Sequence, residues 1–185
     1  MVNILLIHGA YGDPHENWFP WLKKELEKLG HQVYVPEFPT PKNQTLDNWM
    51  EVFEEYKQYL DRDAIVVAHS LGPAFIMNIL ERRKQPIRAA FFVAGFTGLL
   101  NNPVFDKINK GFVDGNFYWY RIKRNADKFY VFHSDNDPYV PLEKGKELAE
   151  NLDAEFKLVK GAGHFNEKAG YFKFDLLLDY IKSEL

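Results

Sequence analysis

The residues with the clearest chemical potential surround Ser70. The pentapeptide Ala68-His69-Ser70-Leu71-Gly72 stands between an apolar run, Ala64 to Ala68, and an apolar helical stretch from Leu71 to about Arg82. Strand, sharp turn and helix in that order make a nucleophile elbow, where the serine is strained and its hydroxyl exposed. Small residues two before and two after the serine are needed where strand and helix pass closely. Gly72 meets that need and Ala68 nearly does. The Leu71 N–H opens a helix, where it can face developing negative charge. A serine here also suits a plain helix cap, so catalysis requires partners elsewhere in the chain.

A serine hydroxyl is a weak nucleophile until a base takes its proton. Of the six histidines, His8 precedes Gly9 at the end of the first apolar run and suits a structural turn. His15 and His31 stand in polar surroundings, and His133 closes a strand. His69 neighbours the serine, and its side chain should point away from it. His164 lies in Gly161-Ala162-Gly163-His164-Phe165, between the last strand and the last helix. That flexible turn can return an imidazole over the C-terminal edge of a sheet. The base needs an acceptor that fixes its tautomer and stabilises the imidazolium. In Ser134-Asp135-Asn136-Asp137-Pro138-Tyr139-Val140-Pro141 both aspartates qualify by position, and an Asx turn would explain either. An oxyanion site needs a second backbone donor. His8-Gly9-Ala10-Tyr11-Gly12 offers the N–H of Ala10 or of Tyr11 beside that of Leu71, with glycines that let backbone approach a ligand.

The elements that must position these groups alternate along the chain. Strands are expected at Val2 to Ile7, Gln32 to Val35, Ala64 to Ala68, Ile87 to Ala94, Phe129 to His133 and Glu155 to Val159. Helices are expected near Pro20 with Leu22, Leu26 and Leu29 on one face, after Thr45 as far as Leu60, and from Leu71 to Arg82. Two more follow Pro141 and span about Ala169 to Ser183, whereas residues 95–127 read as irregular, aromatic and suited to a small cap. This alternation predicts a mostly parallel sheet with helices on both faces. A chain of 185 residues, 46% hydrophobic and 26% charged, suits one domain with its own core. The net charge of −3 gives no basic footprint for nucleic acid. The absence of cysteine removes disulfides and thiolate chemistry and fits a reducing compartment. No apolar stretch is long enough to span a membrane, and a soluble, cytoplasmic protein is expected.

Together these residues resemble the α/β-hydrolase superfamily, and within it the small serine hydrolases of the retinoblastoma-binding protein 9 and YdeN-like type. The likeness spans essentially the whole chain. It rests on the early glycine turn, Trp18-Phe19-Pro20-Trp21-Leu22, the Ser70 pentapeptide, Trp119 to Ile122, Asp137 to Pro141 and Gly163-His164-Phe165. The order Ser70, Asp137, His164 is the superfamily's order. The family's acid precedes a Val-Pro pair by three residues, which selects Asp137 over Asp135. The resemblance implies a minimal, single-domain α/β/α sandwich over residues 1–185, with a six-stranded parallel sheet ordered 2-1-3-4-5-6. It also implies a Ser-His-Asp carboxylesterase for small acyl esters, working through an acyl-enzyme with no metal or organic cofactor. The partner expected is a small acyl substrate, not nucleic acid, membrane or the tumour-suppressor pocket that a relative binds through a cysteine-containing motif. Amide or thioester hydrolysis with the same triad, and a non-catalytic binding module on the same fold, are the alternatives. Loop aromatics, Trp18, Phe96, Trp119 and Tyr139 among them, are candidates to line the acyl pocket.

Overall fold

The computed structural model describes residues 1–185. Six strands form one parallel sheet: β1 (Asn3–Ile7), β2 (Gln32–Tyr34), β3 (Ile65–His69), β4 (Ile87–Val93), β5 (Ala126–Ser134) and β6 (Glu155–Val159). Their order across the sheet is β2-β1-β3-β4-β5-β6, as the resemblance implied. Successive side chains of a strand point to opposite faces, and both faces are covered here. Leu5, Ile7, Val66, Ala68, Ala90 and Phe92 enter one apolar core, while Ile4, Leu6, Ile65, Val67, Phe91 and Val93 enter the other. That is why these strands read as unbroken apolar runs.

Helices α1 (Phe19–Lys28) and α7 (Asp175–Lys182) cover the second core through Phe19, Leu22, Leu26, Leu177 and Ile181. The other face carries α2 (Leu46–Phe53), α3 (Gly72–Leu80), α4 (Pro103–Val113), α5 (Trp119–Lys123) and α6 (Leu142–Leu152). Thr45 caps α2 by accepting the Asn48 N–H (3.2 Å). Almost every residue of α3 is buried, in keeping with its unbroken apolar sequence.

Several boundaries differ from the sequence reading. Residues 95–127 are not irregular: Asn102 caps α4 through the Val104 N–H (3.1 Å), and Pro103 sits in its first turn. The helix after Thr45 stops at Phe53, and a 3₁₀ turn at Lys57–Tyr59 follows. The last helix starts at Asp175, because Gly170 takes a left-handed φ of 82° and breaks the chain direction after a 3₁₀ turn at Glu167–Ala169. Leu29 is exposed, since α1 ends at Lys28 and the chain turns through Gly30.

β1 has β2 on one side and β3 on the other, so the winding direction reverses there. Loops leaving the C-terminal ends of β1 and β3 therefore part toward opposite faces and leave a crevice, the usual ligand position in an open α/β sheet. The loop after β1 holds Gly9 to Gly12, and the loop after β3 holds Ser70.

Candidate active site

Ser70 follows β3 with φ +59°, in the left-handed region that a non-glycine residue occupies only under constraint. Its N–H donates to the Val93 carbonyl (2.9 Å), so the hydrogen-bond ladder with β4 holds the turn in place. Two glycines make room. A Cβ on Gly72 would lie 2.8 Å from the Ile7 carbonyl oxygen, so α3 starts in contact with the β1 backbone. A Cβ on Gly9 would lie 2.6 Å from Ser70 Cβ and 3.1 Å from its Oγ. The sequence reading gave Gly9 to ligand approach; the serine itself also excludes a side chain there.

The backbone donors divide. Neither Ala10 N–H nor Leu71 N–H has an acceptor within the protein. The N–H of Tyr11 donates to Thr40 Oγ1 (2.7 Å), which removes Tyr11 from the pair of candidate oxyanion donors and leaves Ala10. The Thr40 hydroxyl donates on to Gln44 Oε1 (2.5 Å), and Gln44 Nε2 donates to Asn109 Oδ1 (2.9 Å) on α4. Sequence reasoning missed this chain of contacts, because its members lie far apart in sequence and belong to no motif.

His164 Nδ1 lies 2.7 Å from Asp137 Oδ2, and the Asp137 side chain is fully shielded from solvent. Burial raises the Asp137 carboxyl, but the His164 hydrogen bond and charge and the N–H groups of Tyr139 and Val140 outweigh it. The net direction is down. An ionised carboxylate only accepts, so the Nδ1 of His164 carries a proton and donates it to Asp137. Asp137 Oδ1 accepts from Tyr139 N–H (2.8 Å) and Val140 N–H (3.0 Å), which fixes the carboxylate plane. Asp135 does different work: its Oδ1 accepts the Gly161 N–H (2.8 Å). Ser134 Oγ accepts from Ala162 N–H (3.0 Å), and Asn136 Oδ1 from Gly163 N–H (2.8 Å). Four consecutive side chains thus hold the loop that carries His164.

Two further groups secure that loop from beneath. His69 packs its ring against Trp18 and Phe19, and its Nε2 donates to the His164 carbonyl (2.8 Å). Burial, with the neighbouring His164 charge, pushes His69 down to about 3, so it stays a neutral donor. Trp18 is fully buried and donates its indole N–H to the Phe165 carbonyl (3.0 Å). It belongs to the core under α1 and does not line the pocket, contrary to expectation, because the chain is already entering that helix at Trp18. Trp119 does not line it either. It sits on α5 against Phe117.

Ser70 and His164 open into one cavity of about 480 Å³. Phe96 and Tyr139 line it, as expected, together with Leu100 and Phe105 from the segment before and within α4. Tyr11, Phe105, Tyr139 and His164 follow one another edge to face, at ring separations of 6.0, 5.8 and 5.0 Å. The opposite wall is polar, with Glu16, Asn17, Asn166, Glu167 and Lys168. Asn17 N–H donates to Glu167 Oε1 (3.0 Å), and Glu167 N–H returns a bond to Asn17 Oδ1 (2.9 Å). This reciprocal pair joins the loop after β1 to the loop after His164. Burial and the nearby Asp13 push the Glu16 carboxyl up to about 7.

The family model described as serine hydrolase matches residues 4–183. The chain belongs to the serine hydrolase family. Among similar proteins, YdeN of Bacillus subtilis (strain 168) is 32% identical over 183 residues, covering 97% of this chain and 94% of its own. Serine hydrolase RBBP9 of Rattus norvegicus is 27% identical over 169 residues, covering 91% and 86%. The crystal structure of the B. subtilis ydeN gene product superposes with a TM-score of 0.93 at 30% identity, covering 100% of this chain and 98% of that one. Family membership makes the chain a hydrolase of small molecules. No helix is long and apolar enough to cross a membrane.

Proposed function

We propose that this serine hydrolase is a carboxylesterase acting on small acyl esters through an acyl-enzyme. Ser70 is the nucleophile: its Oγ attacks the ester carbonyl carbon while His164 Nε2 takes the hydroxyl proton. The carbonyl oxygen, now an anion, is held by the N–H groups of Leu71 and Ala10. His164 then gives its proton to the leaving alkoxide, and the C–O bond to the alcohol breaks. Water attacks the acyl-enzyme with His164 again as base, and Ser70 is released with the carboxylic acid. Asp137 keeps the proton on Nδ1 and stabilises the imidazolium in both halves. Phe96, Phe105 and Tyr139 bound the acyl group.

One observation carries this reading. Ser70 and an Asp137-bound His164 share one cavity, beside two backbone N–H groups without an acceptor. The test is hydrolysis of p-nitrophenyl esters from acetate to laurate by wild type and Ser70→Ala. The expected outcome is turnover falling off toward the longer chains, and a loss on the order of a million-fold in the variant. Equal trace rates from two folded proteins would refute the esterase.

A further inference from the structure

A second concave site lies at the other end of α3. That helix runs from the elbow at Gly72 to Leu80, and β4 starts at Ile87, so residues 81–86 sit at the N-terminal edge of the sheet, away from Ser70. There a cleft of about 460 Å³ opens between the chain after α3 and helix α5. Its walls carry Arg82, Arg83, Lys84, Arg121 and Arg124, with Glu81 the one carboxylate and Pro86 the one apolar side chain. None of these five cations has a carboxylate within 4.0 Å, although most other basic residues of this net-acidic chain do.

The ordinary reason for cations at helix C-termini is to meet unsatisfied carbonyls and the negative pole of the dipole. Here much of that role is already filled. Asn125, buried between the two helix ends, donates its Nδ2 to the carbonyls of Leu80 (2.7 Å), Arg83 (3.1 Å) and Arg121 (3.0 Å). That amide ties α3 to α5 and fixes the floor of the cleft. The arginines above it are held as well. Arg121 and Arg124 lie over the rings of Tyr118 and Tyr120 at 5.2 and 5.4 Å. Arg83 donates to the Leu60 carbonyl (2.7 Å) and the Gln85 carbonyl (3.0 Å). Burial lowers its guanidinium, against a weaker opposing pull from Asp61. A half-buried cation with no ion partner is costly unless an anion joins it.

We propose that this cleft binds a soluble polyphosphate group, which the guanidinium forks of Arg82, Arg121 and Arg124 grip while Arg83 and Lys84 neutralise its remaining charge. Planar guanidinium forks match phosphate oxygens two at a time, and three forks around one concave wall suit a ligand with at least two phosphoryl groups. The site shares no residue with the Ser70 cavity and does not depend on the esterase reading.

The test is calorimetric titration of the full chain with sodium pyrophosphate at low and high sodium chloride. Saturable one-to-one binding is expected, weakening as salt rises and unchanged in Ser70→Ala. Arg82→Ala, Arg121→Ala and Arg124→Ala carry exposed side chains and leave Asn125 and Arg83 in place. Each should weaken binding by about tenfold. Absence of saturable heat, or variants that bind like wild type, would overturn the assignment. Sedimentation with phosphatidic acid vesicles by a chain that ignores pyrophosphate would overturn it too, by placing the phosphate on a lipid surface.

Discussion

Ser70, the proposed nucleophile, and His164, its proposed base, are held by opposite means. Ser70 is fixed by main chain. Its strained φ is locked by the Val93 carbonyl, and Gly9 and Gly72 let two strands and a helix close around it. His164 is fixed by side chains. Ser134, Asp135, Asn136 and Asp137 reach from the end of β5 to the loop after β6, and His69 and Trp18 hold the same loop from below. The serine half is thus sensitive to added volume, and the histidine half to lost hydrogen bonds. It also explains why position alone did not separate Asp135 from Asp137. Both aspartates grip the histidine loop, one by its backbone and one by its imidazole.

The largest effect that sharpens this contrast comes from Asp137→Asn. An amide in that place can donate to Nδ1 and so favour the wrong tautomer of His164, with the fold left intact. Turnover of a short acyl ester should fall by about 10⁴-fold, while the melting temperature moves little. A loss below tenfold would show that something other than Asp137 sets the imidazole proton.

A paired comparison comes next. Gly9→Ala puts a Cβ against Ser70, where backbone on both sides resists movement. Overpacking of this kind costs about 1–3 kcal/mol, and displacing the nucleophile should cost about 10²-fold in kcat/KM. Asn136→Ala removes the acceptor for Gly163 N–H and the partner of the Ser134 hydroxyl. The orphaned, partly buried N–H should cost toward the lower end of about 1–3 kcal/mol, with a smaller loss of rate, because five other side chains still hold the loop. Urea unfolding and ester kinetics on both variants decide the point. If Asn136→Ala loses as much rate as Gly9→Ala, the two halves are not held differently.

What could be read in the sequence was what short-range chemistry dictates. The elbow is a local pattern, because a strand, a turn and a helix within a few residues leave a recognisable spacing. The parallel sheet followed from strands too apolar to face water on either side. Its order needed the family resemblance. The missed features share a non-local origin. Nothing near Thr40, Gln44 or Asn109 marks them as a line of hydrogen bonds that occupies the Tyr11 N–H. Trp18 reads as a pocket residue because loops after strands gather at the site, yet it opens α1 and sinks into the core. Helix α4 could have been found: Asn102-Pro103 is a cap followed by a first-turn proline, a signal hidden by the aromatic residues around it.

The smallest effect concerns Glu16, on the loop joining the two halves. Its carboxyl accepts from Asn17 Nδ2 (2.9 Å), and Asn17 in turn pairs with Glu167. Asp13 on its own loop, Glu167 and Lys168 across the cavity, and His8 beneath the turn are the charged or titratable groups around it. With a carboxyl raised from 4.5 to about 7, the native state binds this proton more tightly than the unfolded chain does. The Glu16 contribution is therefore lost as pH climbs from about 4.5 through 7. Buried His8, His69 and His133 act in the opposite sense. Burial lowers all three, so their contribution is lost as pH falls below the unfolded value of 6.5. The raw stability profile mixes both trends, but the difference between wild type and Glu16→Gln isolates the carboxyl. The variant should match wild type near pH 4.5 and exceed it at pH 8. Since the group is half-exposed and screened, the gain is at most about 1 kcal/mol, or roughly 2–4 °C in Tm for a chain of this length. A difference that does not change with pH would mean that Glu16 carries the same charge folded and unfolded, and that the polar wall does not hold its proton.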